Sequence, residues 1–499
     1  MLSLPNPAQT IFYNIKKYSL KATLWLSREK FSVLLFIMFA IANIIYLDRV
    51  PGLLGDEGLE GINVFEIQRS GKLPLRGAAT SYIGPFAEYL RIPSIHFFGF
   101  STLGLRLPTF LASLVLFWTL WLLLKRIFQN YYLFALTACI FSPIFLGYQR
   151  LGWAISLLPL FLFLTLYLIS AQDENSKQDL FAPKVLSGFV AGIGASIHVI
   201  FLALLPFIVS AILIKTRLKF KILLTWWVFI LGFMASFIMQ FTFISLFRDD
   251  QDRLQRTLPS FFQRLSALPD VFQHFFTGSS FVAVFTGKEF SSQIMWGILL
   301  VMCILIAISF IRGNRLMVGV TLLALFIHLI LLNYIIGRIT LRYFEPAVLI
   351  FWLLAGTGID AIARSLHVSK KIYLISVLVF TIFLLFISTR LIMIPFLHSG
   401  GGANIFAYGE GISVSEALSS TDDLVSCLKN KGFIWSDSGD TINMLQYFGR
   451  SNPYLRLANK KQRGQVFVEY RINNSRKENE LCPSVKNYIV TKRLEPLPD

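Results

Sequence analysis

The sequence predicts an all-α polytopic membrane protein that ends in a small α/β domain. The chain has 499 residues, of which 55% are hydrophobic and only 15% are charged. Its mean hydropathy of +0.63 is too high for a soluble globular protein of this size. The formal net charge is +18, but much of the excess lies in short connectors between apolar segments, as the positive-inside bias predicts. Nucleic acid is therefore not an expected partner.

Apolar stretches close to the roughly 20 residues that cross a bilayer as a helix recur along most of the chain. The first follows basic residues, among them Lys16, Lys17 and Arg28, and lacks a small-residue cleavage site, so we expect a retained helix. The predicted spans are 31–47, 107–124, 131–147, 154–170, 222–246, 294–311, 316–336, 346–362 and 372–395.

The apolar stretch 185–214 is too long for one ordinary span. If the basic connectors on both sides of it face the cytoplasm, the chain must enter and leave the membrane within it. We therefore expect a hairpin of two short helices with His198 near its buried tip. The total is about eleven segments in a plasma (inner) membrane, with a cytoplasmic N-terminus and an extracytoplasmic carboxyl end.

Polar regions at 48–106, 247–293 and 396–499 are expected on the outer face. They divide the chain into a transmembrane catalytic domain, 1–395, and an extracytoplasmic α/β domain. The phenylalanine-rich region 247–293 fits either a mobile cover or a surface loop with an amphipathic helix.

Two amphipathic helices are predicted in the first outer loop. Asp56 is well placed to cap a helix that ends at Gly71 and lies with an apolar face along the membrane surface. A second helix runs from near Pro85 towards Gly99, with a kink or an end at Pro93. Helices of this kind can cover a cavity formed by the membrane bundle.

The last part of the chain alternates predicted helices and strands, which is typical of an α/β domain. A disulfide between Cys427 and Cys482 is left open, because it requires an oxidising compartment and the sequence does not fix their distance. The predicted helices are 414–429 and 441–448, and the predicted strands are 433–436, 466–470 and 488–491.

Asp56 and Glu57 form an adjacent pair of carboxylates just beyond the first predicted span. Transfer of a sugar to a hydroxyl needs a base for the acceptor's proton, a role that Asp56 fits. Glu57 is suited to orient that base, or to bind Mg²⁺ or Mn²⁺ together with Asp56, since hard cations prefer oxygen ligands. The structural alternative is that Asp56 only caps the helix and that the negative charge of Glu57 only interacts favourably with the helix dipole.

A phosphate leaving group needs positive charge on the same outer face. Arginine suits this role because its planar fork matches phosphate oxygens in a water-poor site. The structural alternative for each arginine is an interfacial anchor that reaches lipid headgroups. The candidates are Arg76, Arg91, Arg150, Arg338 and Arg342, and short outer turns near the bundle favour Arg150 and Arg342.

His198 fits either a ligand or metal contact at the hairpin tip or a packing role. The sequence shows no Walker-type phosphate loop, no His/Cys metal spacing and no distinctive Ser-His-Asp arrangement. The alternative function class is a multi-pass transporter or a lipid-linked glycan flippase or polymerase. Transporters usually show internal repeats and ionisable residues near mid-membrane, whereas most acidic residues here lie outside the predicted spans.

The order of these features resembles the GT-C superfamily of integral-membrane glycosyltransferases, in particular the branch of protein O-mannosyltransferases and the lipid A aminoarabinose transferase. The resemblance covers most of the chain up to about Pro395. It depends on the segments 55–58, 82–89, 98–99, 105–108, 148–150, 188–198 and 342–346.

This resemblance implies an inverting transferase that moves a sugar from a polyprenyl-phosphate carrier to a lipid, glycan or protein hydroxyl on the outer face. Asp56 matches the family's first-loop catalytic aspartate, and Glu57 matches its acidic neighbour. Tyr82, Glu88 and Tyr343 lie in matched segments and are expected to contact the substrate, together with the arginines and His198. Some members of the superfamily bind a divalent metal.

Overall fold

The computed structural model describes a helical membrane domain and a short β-sheet. The described residues are 29–48, 55–71, 84–129, 131–172, 181–217, 219–241, 269, 272–277, 291–336 and 341–390, together with the strands at 433–435, 456–457, 466–470 and 488–492. Predictions for Arg76, Tyr82, Arg338, Cys427 and Cys482 lie outside the described residues.

Helices account for most of the described membrane domain. In chain order they are α1 (Lys30–Ile44), α2 (Gly55–Ser70), α3 (Phe86–Phe98), α4 (Thr102–Phe128), α5 (Leu133–Ile140), α6 (Pro143–Tyr148), α7 (Leu158–Ala171), α8 (Phe181–Ile197), α9 (Leu205–Thr216), α10 (Phe220–Leu224), α11 (Trp227–Phe241), α12 (Ser292–Arg312), α13 (Arg315–Ile336), α14 (Leu341–Ser365) and α15 (Lys370–Ser388). Short 3₁₀ segments precede α7 and α9, at Ala154–Leu157 and Val199–Leu204.

Within the described residues, seven helical segments are long and apolar enough to cross a membrane, which confirms a polytopic membrane protein. The exact number of about eleven crossings stays a prediction. The seven segments are Thr102–Phe128, Ala154–Ala171, Val199–Thr216, Ser292–Arg312, Arg315–Leu332, Tyr343–Ser365 and Lys370–Ser388, and shorter apolar helices lie at Lys30–Ile44, Phe181–Ile197 and Ile222–Phe237.

The predicted span 131–147 is two helices, α5 and α6, and not one continuous helix. Pro143 begins α6, and a proline at that position cannot continue the hydrogen-bond ladder of α5. The Ser142 hydroxyl caps the new helix by accepting a hydrogen bond from the Phe145 N–H at 3.3 Å. Residues 149–153 follow α6 directly, so this break sets where the turn after α6 lies.

The predicted hairpin is present as α8, a buried turn at His198, the 3₁₀ segment and α9. His198 is 1% exposed, and its Nδ1 accepts a hydrogen bond from the Ile200 N–H at 3.2 Å. Glycines let α8 pack closely against α11, because a Cβ at Gly188 would lie 1.9 Å from the Phe229 carbonyl oxygen. Small residues at helix contacts are typical of membrane bundles.

The N-terminus of α5 is capped by a side chain from a different helix. Asp360 of α14 accepts hydrogen bonds from the Phe134 and Ala135 N–H groups at 3.3 and 3.0 Å, and from the Tyr373 hydroxyl at 2.7 Å. A carboxylate at a helix N-terminus satisfies otherwise unpaired N–H groups and favours the helix dipole. Asp360 therefore joins α5, α14 and α15.

In the second outer region, the described residues include a short π-helix at Phe272–Phe276. Phe276 is fully buried, and its ring lies 4.8 Å from that of Phe351 on α14. This residue therefore belongs to the packed core and not to a surface that meets lipid and water.

The carboxyl end contains a four-stranded sheet with strand order β2-β1-β3-β4. The strands are β1 (Phe433–Trp435), β2 (Arg456–Leu457), β3 (Val466–Tyr470) and β4 (Tyr488–Lys492). β1 runs parallel to β2 and β3, and β3 runs antiparallel to β4. Strands β1, β3 and β4 lie where strands were predicted, whereas β2 was not predicted. The helices predicted at 414–429 and 441–448 lie outside the described residues. The division into domains stays a prediction.

Candidate active site

The first helix of the loop that is predicted to face outward differs from its prediction in two ways. α2 begins at Gly55, so Asp56 lies within the first turn and is not the residue that precedes the helix. Its buried side is not simply apolar, because Glu57, Glu60 and Asn63 are 0%, 6% and 4% exposed. A helix that lay along the membrane surface would keep these groups in water, so α2 is instead packed into the protein through an acidic face.

Glu57 forms a two-pronged ion pair with Arg106 of α4. Arg106 Nε and Nη2 donate to the two carboxylate oxygens at 2.8 and 2.7 Å, and neither side chain is exposed. Arg106 Nη1 also donates to the Leu47 carbonyl oxygen at 3.1 Å. Ser101 caps α4 through the Gly104 N–H, so the helix begins before the predicted residue 107 and includes Arg106.

A second buried ion pair lies one turn along α2. Glu60 Oε2 is 2.7 Å from Arg91 Nη2 of α3, and Arg91 also donates to the Gly152 carbonyl oxygen. The other Glu60 oxygen accepts a hydrogen bond from the Ala154 N–H at 3.2 Å. Glu57 and Glu60 therefore each contact the segment after α6 as well as an arginine.

Gly152 is at the centre of this arrangement. Its N–H donates to Glu57 Oε1 at 2.5 Å. A Cβ at this position would lie 3.0 Å from the Leu105 carbonyl oxygen and 3.1 Å from Glu57 Oε1. Glycine therefore allows the turn to approach α2 and α4 at the same point.

Glu88, predicted as a substrate contact, lies on α3 and faces α2. It is 1% exposed, and its Oε1 accepts a hydrogen bond from Asn63 Nδ2 at 2.8 Å. The predicted residues His198 and Tyr343 also meet, with ring centroids 5.8 Å apart. The Gly84 N–H donates to the Ile197 carbonyl oxygen at 3.0 Å, so the hairpin tip lies beside the start of α3.

Arg150, a predicted phosphate ligand, contacts the end of α1. Nη1 donates to the carbonyl oxygens of Ala42 and Asn43 at 2.8 and 3.0 Å, and Nη2 donates to that of Ile45 at 2.5 Å. The pKa of Arg150 is lowered to about 9, mainly by burial and also by the positive charge of Arg106, while the charge of Asp48 acts in the opposite direction. These contacts satisfy carbonyl groups that a helix end leaves unpaired. Phosphate binding by Arg150 stays a prediction.

Glu60 and Asn63 were not among the predicted site residues, and Arg106, Gln149 and Glu345 had been noted only as members of matched segments. Gln149 Nε2 donates to Glu345 Oε1 at 3.2 Å and to the Ser156 carbonyl oxygen at 3.0 Å, and Glu345 is fully buried. The three-residue spacing from Glu57 to Glu60 to Asn63 was a usable signal, because it places all three on one side of a helix.

Asp56 belongs to α2 and Arg342 belongs to α14, but the structure describes only the backbone of these two residues and not their side chains. Among the described side chains, no group of three or more His, Cys, Asp and Glu residues could hold a metal ion. Glu57 does not fit the predicted role of metal ligand, because Arg106 already binds both of its oxygens. A metal bound there would have to displace a buried guanidinium.

No family model and no curated protein matches the chain. Among solved structures, ArnT from Cupriavidus metallidurans, bound to undecaprenyl phosphate, is similar with a TM-score of 0.51 and 14% identity over 92% of this chain and 97% of ArnT. The oligosaccharyltransferase AglB from Archaeoglobus fulgidus, in complex with an inhibitory peptide and a dolichol-phosphate, has a TM-score of 0.42 and 14% identity over 73% of this chain and 56% of its own. An A. fulgidus oligosaccharyltransferase with Zn and sulfate has a TM-score of 0.40 and 14% identity, over 87% of this chain and 57% of its own.

The likeness to ArnT extends over nearly the whole of both chains. The chain therefore has the same fold as ArnT.

Proposed function

We propose that this protein transfers a sugar from a polyprenyl-phosphate carrier to an acceptor hydroxyl at the outer face of the plasma membrane, with Asp56 as general base and with inversion at the sugar. The ArnT-like fold supports this class of reaction, since ArnT was crystallised with undecaprenyl phosphate. The observation that carries the proposal is the rigid anchoring of α2 at Glu57, the residue next to Asp56.

Anchoring of α2 is unusually complete for an outer-loop helix. Glu57 and Glu60 bind Arg106 of α4 and Arg91 of α3, and both acids accept N–H groups from the turn at Gly152 and Ala154. A catalytic group gains most from a backbone that is held in place before the substrate binds. The backbone at position 56 is held in this way.

Glu57 is a poor base for the acceptor, because both of its oxygens accept hydrogen bonds from Arg106 and the side chain is fully buried. A general base needs a carboxylate oxygen that can reach the proton it removes. Of the adjacent pair, Asp56 is therefore assigned as the base and Glu57 as the residue that positions it.

The reaction is a single displacement in which atoms and charges balance. The acceptor oxygen forms a bond to the anomeric carbon, and Asp56 takes the acceptor's proton. The bond from the anomeric carbon to the phosphate oxygen breaks, and its electron pair leaves on the lipid phosphate. Positive charge stabilises this leaving group, and we assign that role to Arg342, with Arg76 as a second candidate.

The experiment compares surface glycolipids and glycoproteins of cells with and without the protein by mass spectrometry, and then assays the purified protein with the lipid-linked sugar found to accumulate. We expect one glycoform to disappear without the protein and to return with the wild type. Glu66→Gln is the matched control on α2, because Glu66 is 40% exposed and forms a salt bridge with Arg69, which is 70% exposed. An unchanged set of glycoforms, together with no transfer by purified protein, contradicts the proposal.

A further inference from the structure

A cavity lies at the opposite end of the membrane domain from the acid and arginine cluster. It has a volume of about 240 Å³ and lies between α4, α7, α9, α13 and α14. Ile127 lines it near the end of α4, whereas Arg106 lies near the start of the same helix. At 1.5 Å per residue, these positions are about 32 Å apart, close to the thickness of a bilayer core.

The walls of this cavity are apolar. Representative lining residues are Leu124, Phe163, Phe207, Ala211, Met317 and Leu354. Lys215 and Asn314 also line it, Lys215 at the carboxyl end of α9 and Asn314 in the turn between α12 and α13. The volume is below the range of pockets that take a whole small molecule, so it suits one segment of a chain.

A strongly basic pocket adjoins the cavity at this end. Arg312, Arg315 and Arg364 line it together with Asn314, and Ile127, Phe128 and Asn314 border both the pocket and the cavity. All three arginines are exposed, and none has a salt bridge to a described acidic residue. Asp360, one turn before Arg364, interacts with it electrostatically but accepts its hydrogen bonds from α5 and Tyr373.

From this juxtaposition we propose that the two pockets form one site for an anionic phospholipid, with part of an acyl chain in the cavity and the phosphate headgroup among the three arginines. The site lies on the face that the basic connectors predict to be cytoplasmic. A positive-inside bias alone explains basic residues on this face, but it does not explain why three of them line a pocket that adjoins an apolar cavity. Charge complementarity selects an anionic headgroup over a zwitterionic one.

The test is native mass spectrometry of the full-length purified protein, titrated with phosphatidylglycerol and with phosphatidylcholine of the same acyl chains. We expect the protein to retain phosphatidylglycerol in preference. Arg312→Gln/Arg364→Gln should weaken its binding by about fivefold for each arginine replaced. Lys370→Gln/Lys371→Gln is the matched control, because it removes two positive charges from the same face outside the pocket and should leave binding unchanged.

A second variant tests the cavity. Ala211→Leu places an apolar side chain into it and should also reduce phosphatidylglycerol binding, whereas Val209→Leu, at a position on α9 that is 51% exposed, should not. The proposal would be overturned if the protein bound both phospholipids equally, or if the lysine control lost as much phosphatidylglycerol binding as the arginine variant. It would also be overturned if the arginine and Ala211 variants both bound phosphatidylglycerol like the wild type. Displacement of phosphatidylglycerol by undecaprenyl phosphate at equal concentration would also overturn it, because the occupant would then be a polyprenyl lipid. The readout does not depend on transferase activity, so Asp56→Asn should bind phosphatidylglycerol like the wild type.

Discussion

Arg106 binds both carboxylate oxygens of Glu57, neither side chain is exposed, and the Gly152 N–H donates to one of the same oxygens. Two buried opposite charges in contact are costly to separate, because a lone charge left in the interior has no water to replace its partner. This pair links α2 to α4. It supports the proposed division of roles, in which Glu57 holds the helix in place and Asp56 acts as the base.

Glu57→Gln should destabilise the protein strongly, because it leaves the Arg106 guanidinium buried without its counter-charge. Removal of one partner of a buried ion pair typically costs about 3–5 kcal/mol. We expect a clear fall in the thermal unfolding midpoint in detergent. The double variant Glu57→Gln/Arg106→Gln should lose less than the sum of the two single variants, and additive losses would indicate that the two residues do not interact.

Gly152→Ala should reduce activity at near-normal expression. The added Cβ would lie 3.0 to 3.2 Å from Leu105 backbone atoms and from Glu57 Oε1, so the turn must move away from α2 by a few tenths of an ångström. Forced contacts of this kind cost about 1–3 kcal/mol. Gly297→Ala is the control on α12, where nothing lies within 4 Å of the added Cβ. Equal transfer rates for the two alanine variants would show that the close approach at Gly152 does not matter.

Arg342→Ala should impair use of the lipid-linked donor more than it impairs folding. The proposed function assigns Arg342 to the departing phosphate, and loss of one such interaction typically lowers the rate by 10²–10³. Donor titrations of the purified variant measure kcat and KM separately. Wild-type values of kcat and KM in this variant would remove Arg342 from the mechanism. Arg69→Ala, at an exposed position on α2, is the control for the loss of an arginine.

Chelation of divalent metals should leave transfer largely intact. Both carboxylate oxygens of Glu57 are bound to Arg106, so a metal held by Asp56 and Glu57 would have to displace that guanidinium. The measurement is the initial rate after extensive treatment with a chelator, compared with the rate after Mg²⁺ or Mn²⁺ is added back. A rate that disappears with chelation and returns with metal would contradict the assignment of Glu57 as a positioning residue without metal.

Hydropathy and charge were sufficient to predict the membrane helices and the two-helix hairpin at His198. These features depend on local composition and on which connectors are basic, so they can be read without tertiary contacts. The break at Ser142 and Pro143 had a local signal as well, but the continuous apolar character of 131–147 favoured one span. Here the conformational restriction of proline decided the structure.

The acid and arginine cluster could not be assembled from the sequence. Glu57 meets Arg106 and Glu60 meets Arg91 across large sequence separations, and only the packing of α2 against α3 and α4 brings them together. A pattern of apolar residues in α2 predicted a surface helix because the prediction treated its acids as solvated. Buried charges are stable only when paired, and the partners of a pair cannot be read from one helix.

The most direct test of the account is a comparison of donor binding and transfer rate for purified Asp56→Asn. The account predicts that this variant binds the polyprenyl-phosphate sugar like the wild type and has a wild-type unfolding midpoint. Its transfer rate should fall by about 10²–10⁴, the usual contribution of a general base. Transfer at the wild-type rate by a folded Asp56→Asn protein would contradict the central claim.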